Sequence, residues 1–143
     1  MSVSSSRYDG NSAKQRLTDI AERFKLIRQF IEGVSREEFL RDTMREYAVV
    51  RALEEACEAA YWFTKHQNGA ELRKRHPAVD FARFGAAGNI FRHAYGTIDY
   101  GIVWDDILGG PDVAAMESLL EAEVPFYQRN FQKTSGATRH GTE

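Results

Sequence analysis

The chain has 143 residues, of which 43% are hydrophobic and 28% charged, a composition typical of one globular domain. Its formal net charge of -2 excludes a protein-wide positive field, although a local basic patch remains compatible with it. The single cysteine, Cys57, excludes an internal disulfide framework. No uncharged run approaches the roughly 20 residues that cross a bilayer, and the N-terminus lacks a signal-peptide pattern. We therefore expect a cytoplasmic protein.

The N-terminal part of the chain predicts two helices after an unstructured start. Residues 1–11 are rich in serine and lack periodicity, so we expect them to be disordered. From Ser12 apolar residues recur at helical spacing and stop at Gly33, a residue suited to a helix C-terminus. Ser35 and Glu38 have the spacing of a capping box, which predicts that a second helix opens there.

A long third helix is predicted from about Asp42 to His66, and the Asn68-Gly69 pair follows its end. Its buried stripe is predicted to consist of Val49, Leu53, Ala56, Cys57 and Ala60. The segment from Glu71 to Pro77 is predicted to be a basic connection.

The C-terminal half predicts two further helices with a short helical segment between them. Asp80 can cap a helix over about 81–95, and a short helix is expected over about 102–108. After the Gly-Gly-Pro break, a last apolar stripe is formed by Val113, Met116, Leu120 and Val124. The sequence thus predicts an all-α, single-domain bundle of about five helices over residues 12–126, with a disordered tail over 127–143.

The stretch from Gly88 to Gly96 carries the most chemical information. Asn89 and His93 are four residues apart, which places a side-chain amide and an imidazole on the same face of a helix. Tyr95 follows two residues later. Because an imidazole can exchange protons near neutral pH, this stretch is the first candidate for a catalytic site.

These residues resemble the HepT-like proteins of the HEPN superfamily, whose motif helix ends in Arg-Asn-x-x-x-His-x-Tyr. The similarity extends from about Arg16 to Val124. It includes the Glu37–Asp42 segment ("EEFL.D" in the family), the Tyr47–Glu54 segment ("AVIRNLE") and the Leu72–Pro77 loop, with Asp99 and Trp104 at the places of an acidic residue and a tryptophan.

The resemblance implies a metal-independent endoribonuclease that acts as the toxin of a toxin–antitoxin pair. In that family two motif helices meet in a homodimer and build one RNA-cleaving cleft. The partner is a nucleotidyltransferase antitoxin that silences the toxin by transferring AMP to the motif tyrosine, which corresponds to Tyr95 here.

One position departs from the family motif, because its arginine is replaced by Gly88. A permanently charged guanidinium can hold the scissile phosphate, and glycine cannot. Arg92 lies four residues later on the same face, and helical side chains lean toward the N-terminus, so its guanidinium could cover the gap. The alternatives are that Arg92 is simply exposed in a chain that has lost activity, and that Gly85 and Gly88 serve close helix packing, with Gly88 in a tight dimer interface.

Each candidate residue of the motif also has a structural interpretation. His93 would act as general base or general acid, or it would bond to a neighbour near the helix end. Asn89 would orient the phosphate or the histidine, or bond across a helix interface. Tyr95 would accept AMP, or lie at an interface with a buried ring and a solvated hydroxyl.

Charged residues outside the motif are weaker candidates. Arg51 and Glu58 match family positions and would line the cleft, although a solvated helix face explains them equally. Arg73, Lys74 and Arg75 would contact RNA phosphates, or form ordinary surface. The four histidines lack metal-ligand spacing, so we expect neither a metal nor a cofactor.

Two functions from different classes follow. The first is a toxin-type endoribonuclease in which His93 transfers protons, Asn89 and Arg92 hold the phosphate and Tyr95 is the control point. The second is a non-catalytic HEPN dimer that binds RNA, a nucleotide or a nucleotidyltransferase partner, an interpretation that Gly88 favours. A helical scaffold without a ligand also fits the composition, but it does not explain the motif spacing.

Overall fold

The computed structural model describes residues 5–67, 69–94 and 96–129, and within these ranges it contains helices and turns but no strand. The helices are α1 (Ser5–Ile31), α2 (Arg36–Leu40), α3 (Thr43–Lys65), α4 (Gly69–Arg75), α5 (Phe81–His93), α6 (Tyr100–Ile102) and α7 (Pro111–Glu123). α6 continues into a π-helical segment, Val103–Leu108. The prediction of an all-α fold is confirmed, with more helices than the five expected.

Local signals place several helix ends where the sequence predicted them. Ser35 and Glu38 form the reciprocal capping box: the Ser35 hydroxyl accepts from the Glu38 amide at 3.1 Å, and the Glu38 carboxylate accepts from the Ser35 amide at 2.9 Å. Gly33 has φ of 72°, the left-handed conformation that lets the chain leave α1. Asp42 and Asp80 cap α3 and α5 through their side chains.

The core is organised around α3, which packs against both α1 and α5. Its predicted apolar stripe is buried throughout: Val49, Leu53, Ala56, Cys57 and Ala60 are each at most 2% exposed. The predicted stripe of α7 is buried as well, with Val113, Met116, Leu120 and Val124 each at most 6% exposed. None of the described helices is long and apolar enough to cross a membrane.

The predicted basic connection after α3 is instead the helix α4. It can begin directly at the end of α3 because Gly69 has no side chain: a Cβ there would lie 2.5 Å from the Phe63 carbonyl oxygen. Leu72 is 4% exposed and anchors α4 to the core. A single buried leucine gave too little periodicity for the segment to be predicted as helical.

The two ends of the folded part also differ from the prediction. α1 begins at Ser5, before the predicted start at Ser12, while residues 1–4 lie outside the described residues. Tyr127, assigned to the disordered tail, is only 3% exposed. Residues 130–143 lie outside the described part, so disorder there stays a prediction.

Tyr127 is held by a buried carboxylate on α7. Glu117 is 1% exposed, and its Oε2 accepts from the Tyr127 hydroxyl at 2.6 Å and from Arg28 Nε at 2.8 Å. Arg28 Nη2 donates to the other oxygen, Oε1. Burial raises the pKa of the Tyr127 phenol well above its usual value, so the hydroxyl stays protonated and donates. The cluster joins α1, α7 and the segment after α7.

Replacing Glu117 with alanine should lower the free energy of unfolding by about 3 kcal/mol, because Arg28 and the buried Tyr127 hydroxyl lose their shared acceptor. Chemical denaturation followed by circular dichroism measures the loss. Glu121→Ala is the matched control: its carboxylate is 38% exposed, 3.2 Å from Arg129, and should cost less than about 1 kcal/mol. Equal losses for the two variants would contradict a stabilising role of the buried cluster.

Candidate functional site

The motif helix α5 presents Asn89 and His93 to solvent. Both residues are exposed, and neither side chain forms a hydrogen bond or an ion pair with any residue that the structure describes. The structural interpretations, a histidine bonded to its neighbour and an asparagine bonded across a helix interface, therefore find no support within the described chain. Both side chains are available to a ligand or to another protein surface.

Tyr95 lies outside the described residues, so its predicted role as AMP acceptor stays a prediction. The residues on either side are described: α5 ends at His93, with Ala94 as its C-terminal cap, and Gly96 is exposed.

Gly88 permits a close crossing of α5 and α3. A Cβ at this position would lie 2.9 Å from the Cβ of Cys57 and 3.8 Å from the backbone nitrogen of Glu58. Gly85 has a similar position, where a Cβ would meet the Tyr61 ring. The predicted packing role of both glycines is confirmed. The contact of Gly88 is nevertheless made to the chain's own α3, not to a second copy as the dimer-interface interpretation expected.

Arg92 crosses from α5 to α3 close to this contact. Its Nη1 donates to Glu58 Oε2 at 3.0 Å, and the Glu58 backbone nitrogen is the atom that lies near Gly88. The Arg92 side chain is 37% exposed and that of Glu58 is 63% exposed. The Arg92 guanidinium therefore reaches α3 at the residue next to Cys57, and it shares its charge with one carboxylate.

A groove of about 320 Å³ runs between α3, α5 and α6, beside the motif. We call it the α3–α5 groove; it is lined by Tyr47, Val50, Arg51, Glu54, Phe91, Arg92, Gly96, Ile98 and Tyr100. Two predicted residues, Arg51 and Arg92, meet in this groove. His93 and Asn89 lie on α5 but outside its lining, and Glu58 reaches it only through its ion pair with Arg92.

The groove also contains residues that the sequence analysis missed. Tyr47 and Tyr100 lie with their ring planes 29° apart and their centroids 6.5 Å apart. Glu54 lies in the groove wall with a side chain 16% exposed. On α3, Tyr47, Arg51 and Glu54 follow the three- and four-residue spacing of one face, which is the signal that could have identified them.

The three basic residues of α4 lie elsewhere. Arg73 donates to the Phe63 carbonyl, and Arg75 donates to both oxygens of Glu123, at 3.0 and 3.1 Å. Hydrogen bonds from Arg75 lower the pKa of Glu123 and so favour its charged form. Lys74 is exposed and has no partner among the described residues. Two of the three cations thus have structural contacts, and none lines the α3–α5 groove.

Cys57 is not available as a nucleophile. Burial raises the pKa of its thiol to about 12, so the reactive thiolate is absent near neutral pH. Nowhere in the described ranges do three or more histidine, cysteine, aspartate or glutamate side chains gather as metal ligands would. The chemistry that the site offers is that of an exposed imidazole and amide beside two arginines.

The described residues thus form an all-α protein centred on α3, with an exposed histidine at the end of α5. The sequence model of the family described as "Ribonuclease HepT-like" matches residues 20–121, so the chain belongs to the HepT-like ribonuclease family of HEPN-type proteins.

Three relatives with curated names are described as ribonucleases. The chain is 30% identical over 96 residues to a probable ribonuclease HepT of Thermococcus cleftensis, covering 67% of this chain and 83% of that protein. It is 32% identical over 117 residues to a protein of Methanocaldococcus jannaschii named as a proposed RNase, covering 82% of each. A second such protein of that organism is 32% identical over 88 residues, with coverages of 62% and 76%. No solved structure matches the chain significantly.

Adding a methyl group at the helix crossing tests the packing role of Gly88. Gly88→Ala should lower the free energy of unfolding by about 1–3 kcal/mol, because its Cβ would overlap with that of Cys57. Cys57→Gly should relieve the overlap in the double variant, whereas Cys57→Ala keeps the Cβ and should not. Urea denaturation of the double-mutant cycle measures the coupling. No coupling between Gly88→Ala and Cys57→Gly would contradict the close crossing.

Proposed function

We propose that the protein is a toxin-type endoribonuclease of a toxin–antitoxin system, which cleaves RNA without a metal ion at a site shared by two copies. The observation that carries the proposal is the pair Asn89 and His93, exposed and without described partners, beside a groove that holds Arg51 and Arg92. Family membership supports an RNA substrate.

The reaction follows from an imidazole beside cations. His93 takes the proton of a ribose 2′-hydroxyl, or donates one to the leaving 5′-oxygen. As the 2′-oxygen attacks, a bond to phosphorus forms and the bond to the 5′-oxygen breaks, which leaves a 2′,3′-cyclic phosphate and a free 5′-hydroxyl. Asn89, one helical turn before His93, orients the phosphate or the imidazole.

Arg92 takes over the task of the missing motif arginine in this proposal. Its guanidinium is paired with Glu58, the residue that follows Cys57 at the contact with Gly88, and the ion pair is partly solvated. A surface pair of this kind is worth only about 0–1 kcal/mol, so a phosphodiester, whose single negative charge is shared by two oxygens, can compete for the guanidinium through two hydrogen bonds. Arg51, whose side chain is 67% exposed, lies in the same groove and is paired with Glu54 at 3.5 Å and Glu55 at 3.0 Å, surface contacts for which a phosphate can also compete.

The exposed face of α5 supports assembly of two copies through the motif helices. It carries small side chains, Ala82 and Ala86, on the same side as Asn89 and His93. Ile90 is 62% exposed, an apolar side chain for which the described monomer offers no cover. Pairing of two such faces would bury Ile90 and bring two His93 imidazoles to one cleft, so that one can accept and the other donate a proton.

Control of the toxin would follow the family pattern. A nucleotidyltransferase antitoxin would transfer AMP to Tyr95, which lies two residues after His93 in the motif. A bulky anionic group at that position would compete with RNA for the neighbouring arginines. A toxin of this kind acts on RNA in the cytoplasm.

Two observations favour the non-catalytic alternative. Gly88 removes the motif arginine, and Arg92 is already paired with Glu58, so the site could retain a ligand without cleaving it. In that case the dimer would bind RNA, a nucleotide or a nucleotidyltransferase partner.

Cleavage of a mixed RNA pool in EDTA by the purified protein tests the proposal. His93→Ala should lower the rate at least about 100-fold, and Arg92→Ala about 100-fold. Glu58→Gln should instead raise the rate about three-fold, because it releases the Arg92 guanidinium. His76→Ala is the matched histidine control and should leave the rate unchanged, since His76 pairs with Glu123, between α4 and α7.

Two results would count against catalysis. If the wild type is as inert as His93→Ala, the non-catalytic alternative replaces the ribonuclease. If the wild type cleaves and Arg92→Ala cleaves equally well, the enzyme stands but the role of Arg92 is wrong.

The dimer has a separate test. The wild type should sediment at twice the 16.3 kDa chain mass, and Ile90→Asp should shift it to the monomer and abolish cleavage, because a charge cannot be buried between two α5 helices without a partner. Leu26→Asp, at a 38% exposed position of α1, is the control and should remain dimeric. A monomeric wild type, or a dimeric Ile90→Asp, would contradict assembly through α5.

A further inference from the structure

The α3–α5 groove contains one carboxylate among its cations and aromatic rings. Glu54 is 16% exposed, and its only ion pair or hydrogen bond to a described residue is with Arg51, at 3.5 Å from Oε1 to Nη1. This distance is long for a hydrogen bond, so most of the accepting capacity of Glu54 is unused. Among the described residues, the Glu54 oxygens are not enclosed polar atoms without a partner. They are open to the groove, where the N–H donors of a ligand can replace water.

An aromatic surface stands beside this carboxylate. Tyr47 is 63% exposed although its ring lies nearly parallel to that of Tyr100. Exposed rings of this kind stack with nucleobases, a contact worth a factor of about ten or more in affinity per base. The floor of the groove is apolar, formed by Val50, Phe91 and Ile98. Its volume of about 320 Å³ lies at the small end of ligand pockets, which range over roughly 300–1,000 Å³.

The charges fix the direction in which a nucleotide can enter. A phosphate would be repelled by Glu54 and attracted by Arg92, whereas a base with N–H donors would be attracted by Glu54. Arg51 does not mark the phosphate end, because it is paired with Glu54 at 3.5 Å and with Glu55 at 3.0 Å. The base therefore lies over Tyr47 with its donor edge at Glu54, and the phosphate lies toward Arg92. That end of the groove is also the end from which α5 continues to His93.

We propose that the α3–α5 groove is a guanine-binding subsite that selects the nucleotide next to the scissile phosphate, an inference that rests on the proposed ribonuclease function for its RNA ligand. Guanine presents two adjacent donors, N1–H and the N2 amino group, that match the two oxygens of Glu54. Adenine and cytosine offer one exocyclic amino group beside an acceptor that the carboxylate would repel, and uracil offers a single N–H between two carbonyl oxygens.

Binding of short RNAs that cannot be cleaved tests the subsite apart from catalysis. Fluorescence anisotropy is measured with labelled five-nucleotide 2′-O-methyl RNAs, adenine-rich with guanine, inosine or adenine at the centre. The guanine RNA should bind roughly ten-fold more tightly than the adenine RNA, with inosine between them because it lacks the N2 amino group.

Variants assign the preference to individual side chains. Glu54→Gln should remove the guanine preference, since the amide offers one oxygen where two are needed, and Tyr47→Leu should weaken binding of all three RNAs about ten-fold. Tyr47→Phe keeps the ring and should bind like the wild type. Glu22→Gln, an exposed carboxylate of α1 outside the groove, is the control and should retain the preference.

The outcomes separate this proposal from the ribonuclease itself. Equal binding of the guanine and adenine RNAs, with cleavage still dependent on His93, overturns the subsite and leaves the enzyme intact. A guanine preference that survives in Glu54→Gln overturns the assignment to that residue. Competition by free GMP as strong as by the guanine RNA overturns an RNA subsite in favour of a free-nucleotide site. If the protein binds the guanine RNA selectively but does not cleave RNA, the guanine subsite is supported and the proposed ribonuclease function is overturned.

Discussion

The close crossing of α3 and α5 is the constraint on which the candidate site depends. With no side chain at Gly88, the two helices approach until Cys57 occupies the space that a Cβ would need. This approach sets the position of α5 relative to Arg51 and Glu54 on α3, so it sets the width of the groove that they share with Arg92. The residue that removes the motif arginine is thus also the residue that brings the groove walls together. A substitution at Gly88 would therefore change the helix packing and the side chains available at the site together.

An ion pair links Arg92 on α5 to α3 beside the same crossing. In the described residues its guanidinium is neutralised by Glu58, which fixes its direction across the helix contact. A pair exposed to this degree contributes too little free energy to hold the guanidinium against a phosphate. In the proposed ribonuclease, a phosphate would therefore replace Glu58 at small cost to substrate binding. Arginine suits this task better than lysine because its planar group can bond two phosphate oxygens at once.

The parts of the fold that could be predicted from the sequence are those fixed by local signals. The caps at Ser35, Asp42 and Asp80 and the buried stripe of α3 depend on residues within one or two helical turns of each other. The groove depends on contacts between distant segments: Tyr47 and Tyr100 are far apart in the sequence, and nothing in either neighbourhood indicates that their rings meet. Tyr127 was misjudged for the same reason, because its partner Glu117 is a polar residue on a helix whose stripe was defined by apolar ones. The family motif predicted which helix carries the candidate site, but it could not predict that Arg92 pairs with Glu58 on another helix.

Two glutamates, Glu117 and Glu54, differ in how many hydrogen-bond donors the described residues supply to their carboxylates. Glu117 is 1% exposed and accepts three hydrogen bonds, from Arg28 twice and from Tyr127 once, so its charge is compensated entirely within the described chain. Glu54 is more exposed, at 16%, yet it has only the long contact to Arg51. Because the Glu54 oxygens are open to the groove, solvent can satisfy them and the fold need not supply a donor. They face an exposed ring and two guanidinium groups, where a ligand can replace the solvent. If the groove binds guanine as proposed, Glu54 can distinguish the bases because its donors come from the ligand, whereas those of Glu117 come from the protein.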